Sequence, residues 1–250
     1  GTWCSSVGVV TLDTTGVLPM MAALVTLHAV RYLLAAGGAW LFFWSWKSNP
    51  WTKAKRLQAV DFTRADVLRE VWTSLRSALV FGTLFGVVYA GLPIVKLEQK
   101  GVGAALEFSA WLLFLLVVHD TYFYWAHRFA HHPRVYGWLH SVHHQSRNPS
   151  PFAALSFGTL DAVVQVVWAV PIVRFVPVPS LVWLVFSFLA IAINVMGHCG
   201  VEPWPVSWQR HPVLKWLNFA TMHNQHHLQV RGNYGLCSSE WDRWMGTLLS

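Results

Sequence analysis

Apolar residues in this chain gather in long runs rather than at the three-to-four-residue spacing of a soluble amphipathic helix. Val17 to Trp46 is interrupted only by His28 and Arg31, Leu79 to Val95 carries no charge, and Phe108 to Val118 and Ser180 to Gly197 are equally bare. A helix rising about 1.5 Å per residue needs about 20 apolar residues to cross a bilayer core. Extended by their flanks, the runs predict spans near residues 17–46, 71–95, 104–126 and 161–197. The last reads as a helical hairpin with a short first arm, broken by Pro171, Pro177 and Pro179. Lys96 to Gly103 reads as a polar turn with Gly101 and Gly103 as breakers. The expected fold is therefore all-α: an integral-membrane helical bundle of about four transmembrane helices with a cytosolic, helical, histidine-rich cap. Residues 1–250 read as a single membrane-embedded domain without an internal linker.

Composition supports lipid as the solvent. Apolar residues make up 54% of the 250-residue chain and charged residues 12%, half the share of an ordinary soluble domain at about 25%. The formal net charge is +7, but its placement argues against nucleic acid. Lys47, Lys53, Lys55, Arg56, Arg64 and Arg69 all fall between the first two apolar runs, beside Trp44, Trp46 and Trp51. Basic residues and tryptophans at the end of a span mark a cytosolic interfacial anchor. Counting crossings from that anchor puts His127–His144, His198 and His223–His227 on the cytosolic side. Cys4, Cys199 and Cys237 lie far apart with no CxxC pair, which excludes a sequence-evident zinc ribbon, iron–sulfur cluster or disulfide framework.

The histidines carry the chemistry. Of the 13 in the chain, His127 and His131 form HxxxH, His140, His143 and His144 form HxxHH, and His223, His226 and His227 repeat HxxHH, while His198 closes the last apolar run. On an α-helix, residues i, i+3 and i+4 share a face, so each triplet is expected to aim two or three imidazoles at one point. That many neutral imidazoles exceeds what one four-coordinate zinc ion uses and suits two redox ions such as iron.

At these residues the chain resembles the fatty acid hydroxylase superfamily, and within it the sterol desaturase branch. The resemblance rests on HDTYFYWAHRFAHH (His119 to His132), HSVHHQSRNPSPFAA (His140 to Ala154), NVMGHCG (Asn194 to Gly200), HNQHH (His223 to His227) and NYGLCSSEWDRWMGT (Asn233 to Thr247). These segments lie in order over the C-terminal half. The resemblance implies a membrane diiron oxygenase that hydroxylates, desaturates or demethylates sterols, fatty acyl chains or related lipids. It implies a two-iron cofactor, replaceable by zinc in preparations, held by His127, His131, His140, His143, His144, His198, His223, His226 and His227. Whether His119 or His132 adds to that set is left open.

Ligating imidazoles usually donate their second N–H to a carboxylate or carbonyl. Asp120 stands seven residues before His127 on the same helix face and Asn194 four before His198, which makes both candidates to orient ligands, with Asp242 of EWDRW a third. Asp242 reads equally well as a helix cap or a surface ion pair. Tyr122, Phe123, Tyr124 and Trp125 suit a substrate channel or an interfacial aromatic belt. The chain has no dinucleotide fingerprint and no cysteine cluster, so an oxygenase of this kind would draw on dioxygen, a lipid substrate and a separate electron-donor protein. Two rival classes predict different patterns. A membrane zinc hydrolase predicts a glutamate within a histidine pair, which no motif here contains. A histidine-rich metal-binding or transport protein predicts sites near mid-membrane on broken helices, whereas these histidines fall at the membrane edge.

Overall fold

The computed structural model describes residues 16–45, 49–90, 95–97 and 99–249. Cys4, Trp46, Lys47 and the expected end of the second span at 91–94 lie outside the described residues. Four helices are long and apolar enough to cross a membrane: Val17–Ser45, Arg64–Tyr89, Gly101–Ala130 and Ser180–His198. Among the described residues no strand forms beyond isolated bridges, Arg56 with Val201 and Leu217 with Ser238. The molecule is a multi-pass helical membrane bundle.

The first span is α1 (Val17–Trp40), prolonged by a π-helical turn over Leu41–Ser45. A short α2 (Pro50–Ala54) follows, its first turn capped by the Asn49 side chain. The second span, α3 (Arg64–Tyr89), starts seven residues before the span expected at 71–95. The cause is a capping box: Asp66 N donates to Thr63 Oγ1, while the Asp66 carboxylate accepts from Thr63 N. Helix initiation here is set by polar residues that a hydropathy reading passes over. The third span, α4 (Gly101–Ala130), begins at Gly101 with φ +60°, a left-handed entry that glycine adopts without strain. Thirty residues make about 45 Å of helix, against about 30 Å of hydrocarbon. The helix is therefore about ten residues longer than one crossing needs.

The hairpin expected over 161–197 resolves into α6 (Thr159–Val167), α7 (Ala169–Phe175) and α8 (Ser180–His198), after α5 (Pro133–Leu139) in the cap. Nine and seven residues are too few for α6 or α7 to span alone. Only α8 is a candidate span in this stretch. Pro171 sits in the first turn of α7, where a missing N–H costs nothing, and Pro177 and Pro179 separate the arms. The cap is completed by 3-10 turns at His143–Gln145 and Pro151–Leu155, by α9 (Ala220–Gln229) and by α10 (Glu240–Trp244).

Packing explains how the N-terminal half serves the cap. Gly82 and Gly86 let α3 press its backbone onto α1; a Cβ at Gly82 would stand 2.4 Å from Val25 Cα, and one at Gly86 2.4 Å from Met21 Cγ. Leu34, Phe42, Trp72, Leu79, Leu106 and Leu113 are left exposed on the spans, as lipid-facing positions are. At the cap end, polar side chains of the spans and of the connection between the first two seize the backbone of residues 149–157. Gln58 Nε2 donates to Pro149 O, Tyr32 Oη and Ser74 Oγ to Phe152 O, Asn194 Nδ2 to Ala154 O, and Arg76 to Phe157 O. Ser150 Oγ donates to the buried Glu70 carboxylate. These bonds satisfy carbonyls in a segment too irregular to satisfy its own.

Candidate metal centre

The nine histidines converge at one end of the bundle in two groups. His127, His131, His140, His144 and His226 form one; His143, His198, His223 and His227 form the other. Within each group one ring nitrogen per residue lies within 4.8 Å of all the rest. All nine except half-buried His131 are buried, with His226 and His227 0% exposed.

The elements that place these rings differ from a simple helical reading. His127 and His131 occupy the last turn and C-cap of α4 and fall in the same group, as an i, i+4 pair should. The triplet on α9 divides: His223 and His227 face one group and His226 the other. The triplet at 140–144 is not α-helical. His140 caps α5 and His143 opens a 3-10 turn, so His140 and His144 join one group and His143 the other. Neither triplet converges on one point; each bridges both groups.

Hydrogen bonds fix which nitrogen is free. His127, His131 and His226 donate Nδ1–H to Tyr234 O, Val230 O and Gly232 O, while His143, His198 and His227 donate to Ser156 O, Asn194 O and Ser146 O. A carbonyl can only accept, so in each neutral ring the proton sits on Nδ1 and Nε2 is a bare lone pair. His140 Nδ1 lies 2.7 Å from Asp161 Oδ2. The lone pairs then face one another. His198 Nε2 is 3.3 Å from His143 Nε2 and 3.2 Å from His227 Nε2, with every Nδ1 already committed. His144 Nε2 stands 3.1 Å from both His131 Nε2 and His226 Nε2, and one proton could serve only one of them. His127 Nε2 and His140 Nε2 are buried with no hydrogen-bond partner. Opposed lone pairs in a buried site repel unless a cation lies between them. The spacings also match ligand–ligand edges of about 3.0 to 3.4 Å around an ion bound at about 2.1 Å. Each group can therefore hold a metal ion.

Electrostatics agree. Burial holds His131 down to about 3, helped by neighbouring His140. Burial likewise holds His143, His144, His223, His226 and His227 well below the usual imidazole value of 6.5, with neighbouring imidazoles adding to it. These rings stay neutral at physiological pH, the form that binds metal.

The residues expected to orient the ligands do so less directly than their spacing predicts. Asp120 touches no imidazole; its carboxylate accepts from Cys237 N, Ser238 N and Ser238 Oγ and pins that loop to α4. The Asn194 side chain serves Ala154, and its backbone carbonyl is what takes His198. Asp242 is buried, neither a surface ion-pair partner nor a cap. It accepts from Tyr234 N, Gly235 N and Thr247 Oγ1, and so shapes the loop whose carbonyls receive His127 and His226. Asp161 is the carboxylate that the sequence reading missed. Its signal is present: no other charge occurs between Arg147 and Arg174, and a lone carboxylate entering an apolar stretch needs a partner.

His119 joins neither group. It packs among Phe123, Trp168 and Phe186, with Nδ1 buried and unpartnered. His132 is exposed and caps α5, accepting from Arg134 N. Below the histidines a cavity of about 400 Å³ opens between the spans. Its wall includes Phe157, stacked near His143, Phe123, packed on His127, and Asn194. Of the aromatic run at 122–125 only Phe123 lines it. Tyr122 bonds Val164 O, Tyr124 packs on Trp241, and Trp125 is exposed.

Comparison with known proteins bears on this arrangement. A Delta(7)-sterol 5(6)-desaturase of Gibberella zeae is 34% identical over 60% of this chain and 40% of its own length. A Delta(7)-sterol 5(6)-desaturase of Aspergillus fumigatus is 29% identical over 87% of this chain and 58% of its own. Human lathosterol oxidase is 31% identical over 54% of this chain and 44% of its own. The chain thus spans about half the length of these curated relatives. No solved structure matches it. The family model for fatty acid hydroxylase matches residues 112–247, which takes in all nine converging histidines, Asp161 and Asp242, and the chain belongs to that family.

Proposed function

We propose that this chain is a membrane oxygenase that holds two iron ions, one per histidine group, and uses dioxygen with external electrons to hydroxylate or desaturate a lipid. The observation that carries the reading is the sorting of nine imidazoles into two groups, six of them with Nδ1–H drawn outward to carbonyls and with Nε2 lone pairs opposed. His127, His131, His140, His144 and His226 would hold one ion, and His143, His198, His223 and His227 the other. When bound, the iron pair supplies dioxygen activation and the removal of hydrogen from an unactivated C–H bond.

The chain's own residues supply position and dryness. Backbone carbonyls and Asp161 hold seven of the nine rings through Nδ1, all but His144 and His223. Phe123 and Phe157 separate the histidines from the cavity and exclude water from it. The cavity lies within the spans, so its ligand enters from the bilayer. The relatives' names make sterols the first lipids to screen. The basic stretch between the first two spans supports a cytosolic histidine end, where a separate electron-donor protein would dock.

The test is metal analysis and Mössbauer spectroscopy of protein expressed with labelled iron, alongside reductant-dependent oxygen uptake. Two irons per chain with a coupled diiron signal, lost in His143→Ala with His226→Ala, is the expected result. Protein that holds zinc tightly, takes up no iron under reducing conditions and consumes no oxygen would sink the reading in favour of a hydrolase or metal carrier.

A further inference from the structure

The cavity has a polar end that the metal chemistry does not use. Arg31, one of two polar interruptions in the first apolar run, lines the cavity and is 8% exposed, and its Nε and Nη1 are buried without a hydrogen-bond partner. His28, one turn earlier, lines the same wall and spends its Nδ1 on Leu24 O. Among the described residues no aspartate or glutamate lines the cavity. A guanidinium stays charged in any protein environment, and an unpaired charge in an apolar, lipid-embedded site is costly. Among the described residues the cavity wall provides no counter-ion.

We propose that Arg31 is the head-group site of this cavity and that its ligand is a lipid carboxylate. The inference rests on the lipid-oxygenase reading and narrows its substrate class. A carboxylate brings one negative charge, matching that of one guanidinium, and oxygens that accept from Nε–H or from Nη1–H, which leave the group by different edges. An alcohol occupies a single donor and leaves the charge uncancelled. A phosphate monoester carries about −1.5 to −2 and would bury surplus charge. The rest of the wall, with Phe81, Phe85, Trp168, Trp183 and Phe186, suits a hydrocarbon body.

Binding can be read without turnover, since Trp168 and Trp183 line the cavity. Protein in nonionic detergent is titrated with dibrominated stearic acid to quench tryptophan fluorescence. Stearate, octadecanol, methyl stearate and octadecyl phosphate then compete. Stearate is expected to compete at least about tenfold better than the alcohol, the ester or the phosphate in the wild type. In Arg31→Gln the preference should collapse to near unity with ester affinity unchanged, and Arg31→Lys should keep part of it, which guards against misfolding of the first variant. Equal competition by all four, a preference for the alcohol or phosphate, or an acid preference that survives Arg31→Gln would overturn the proposal. None of these arms requires iron or oxygen, so failure here is distinguishable from failure of the oxygenase reading.

Discussion

The two histidine groups look alike in residue type and differ in what stands behind them. The five-histidine group leans on one carboxylate, Asp161, and on the carbonyls of Val230, Gly232 and Tyr234 from a single loop. The four-histidine group has no carboxylate partner and takes its carbonyls from three separate places, Ser146, Ser156 and Asn194. A carboxylate behind an imidazole makes it a stronger donor than a carbonyl does. The five-histidine group should therefore bind its ion more tightly and be the more vulnerable to side-chain substitution. Identical ligand chemistry is thus made unequal by what lies outside it.

The sharpest way to break that comparison is to remove a ligand from one side. His226→Ala should release one of two ions and lower activity more than a hundredfold, beyond the 10–100-fold typical of outer partners. Metal analysis per chain checks it; loss of both ions would show that the groups are not independent. Next in size is Asp161→Asn, expected to weaken metal affinity 10–100-fold in the five-histidine group alone. Asn194→Ala is its counterpart on the other side. The backbone carbonyl that receives His198 survives, so metal affinity should change less than about tenfold, while stability falls by about 1–3 kcal/mol because Ala154 O loses its donor. Equal metal losses in these two variants would refute the asymmetry.

Smaller again is Asp242→Asn, which disturbs the acceptor of Tyr234 N, Gly235 N and Thr247 Oγ1. A stability loss of about 1–3 kcal/mol should come with a loosened five-histidine group and an unchanged partner group, readable as separate metal-release rates. Acid should distinguish the groups least. His131, His143, His144, His223, His226 and His227 all have folded values depressed below 6.5 by burial. Below that pH the unfolded chain takes up protons and the folded chain does not. Metal-free protein should hold its full stability above 6.5 and lose roughly 1.4 kcal/mol per histidine for each pH unit below it. Unfolding midpoints at about pH 7.5 and about pH 5.5 test this; a midpoint that rises in acid would contradict it.

Span count, the convergence of the nine histidines and the family were legible in the sequence, because apolar runs of bilayer length and i, i+3, i+4 spacings are local patterns. What was not legible depended on contacts distant in sequence. The 140–144 triplet departs from helical geometry because α5 ends at Leu139 and the chain tightens into a 3-10 turn at His143–Gln145, with the His143 ring bonded to Ser156 O. Asp120 lies on the expected face of α4, but a loop 117 residues away claims it first. Asp161 was visible only as an isolated charge, and its partner His140 lies in another element. Backbone acceptors such as Val230 O leave no mark in a side-chain pattern.

The strip from Val230 to Tyr234 aims its alternate carbonyls at three rings, and it is held there by left-handed turns at Val230 and Asn233. Three ring orientations thereby share a single mechanical degree of freedom. A shift of that strip would turn His131, His226 and His127 together, so substitutions along it should combine non-additively and loss of grip on the ion should be cooperative. The four-histidine group, tethered at unrelated points, has no such linkage and should fail one ligand at a time.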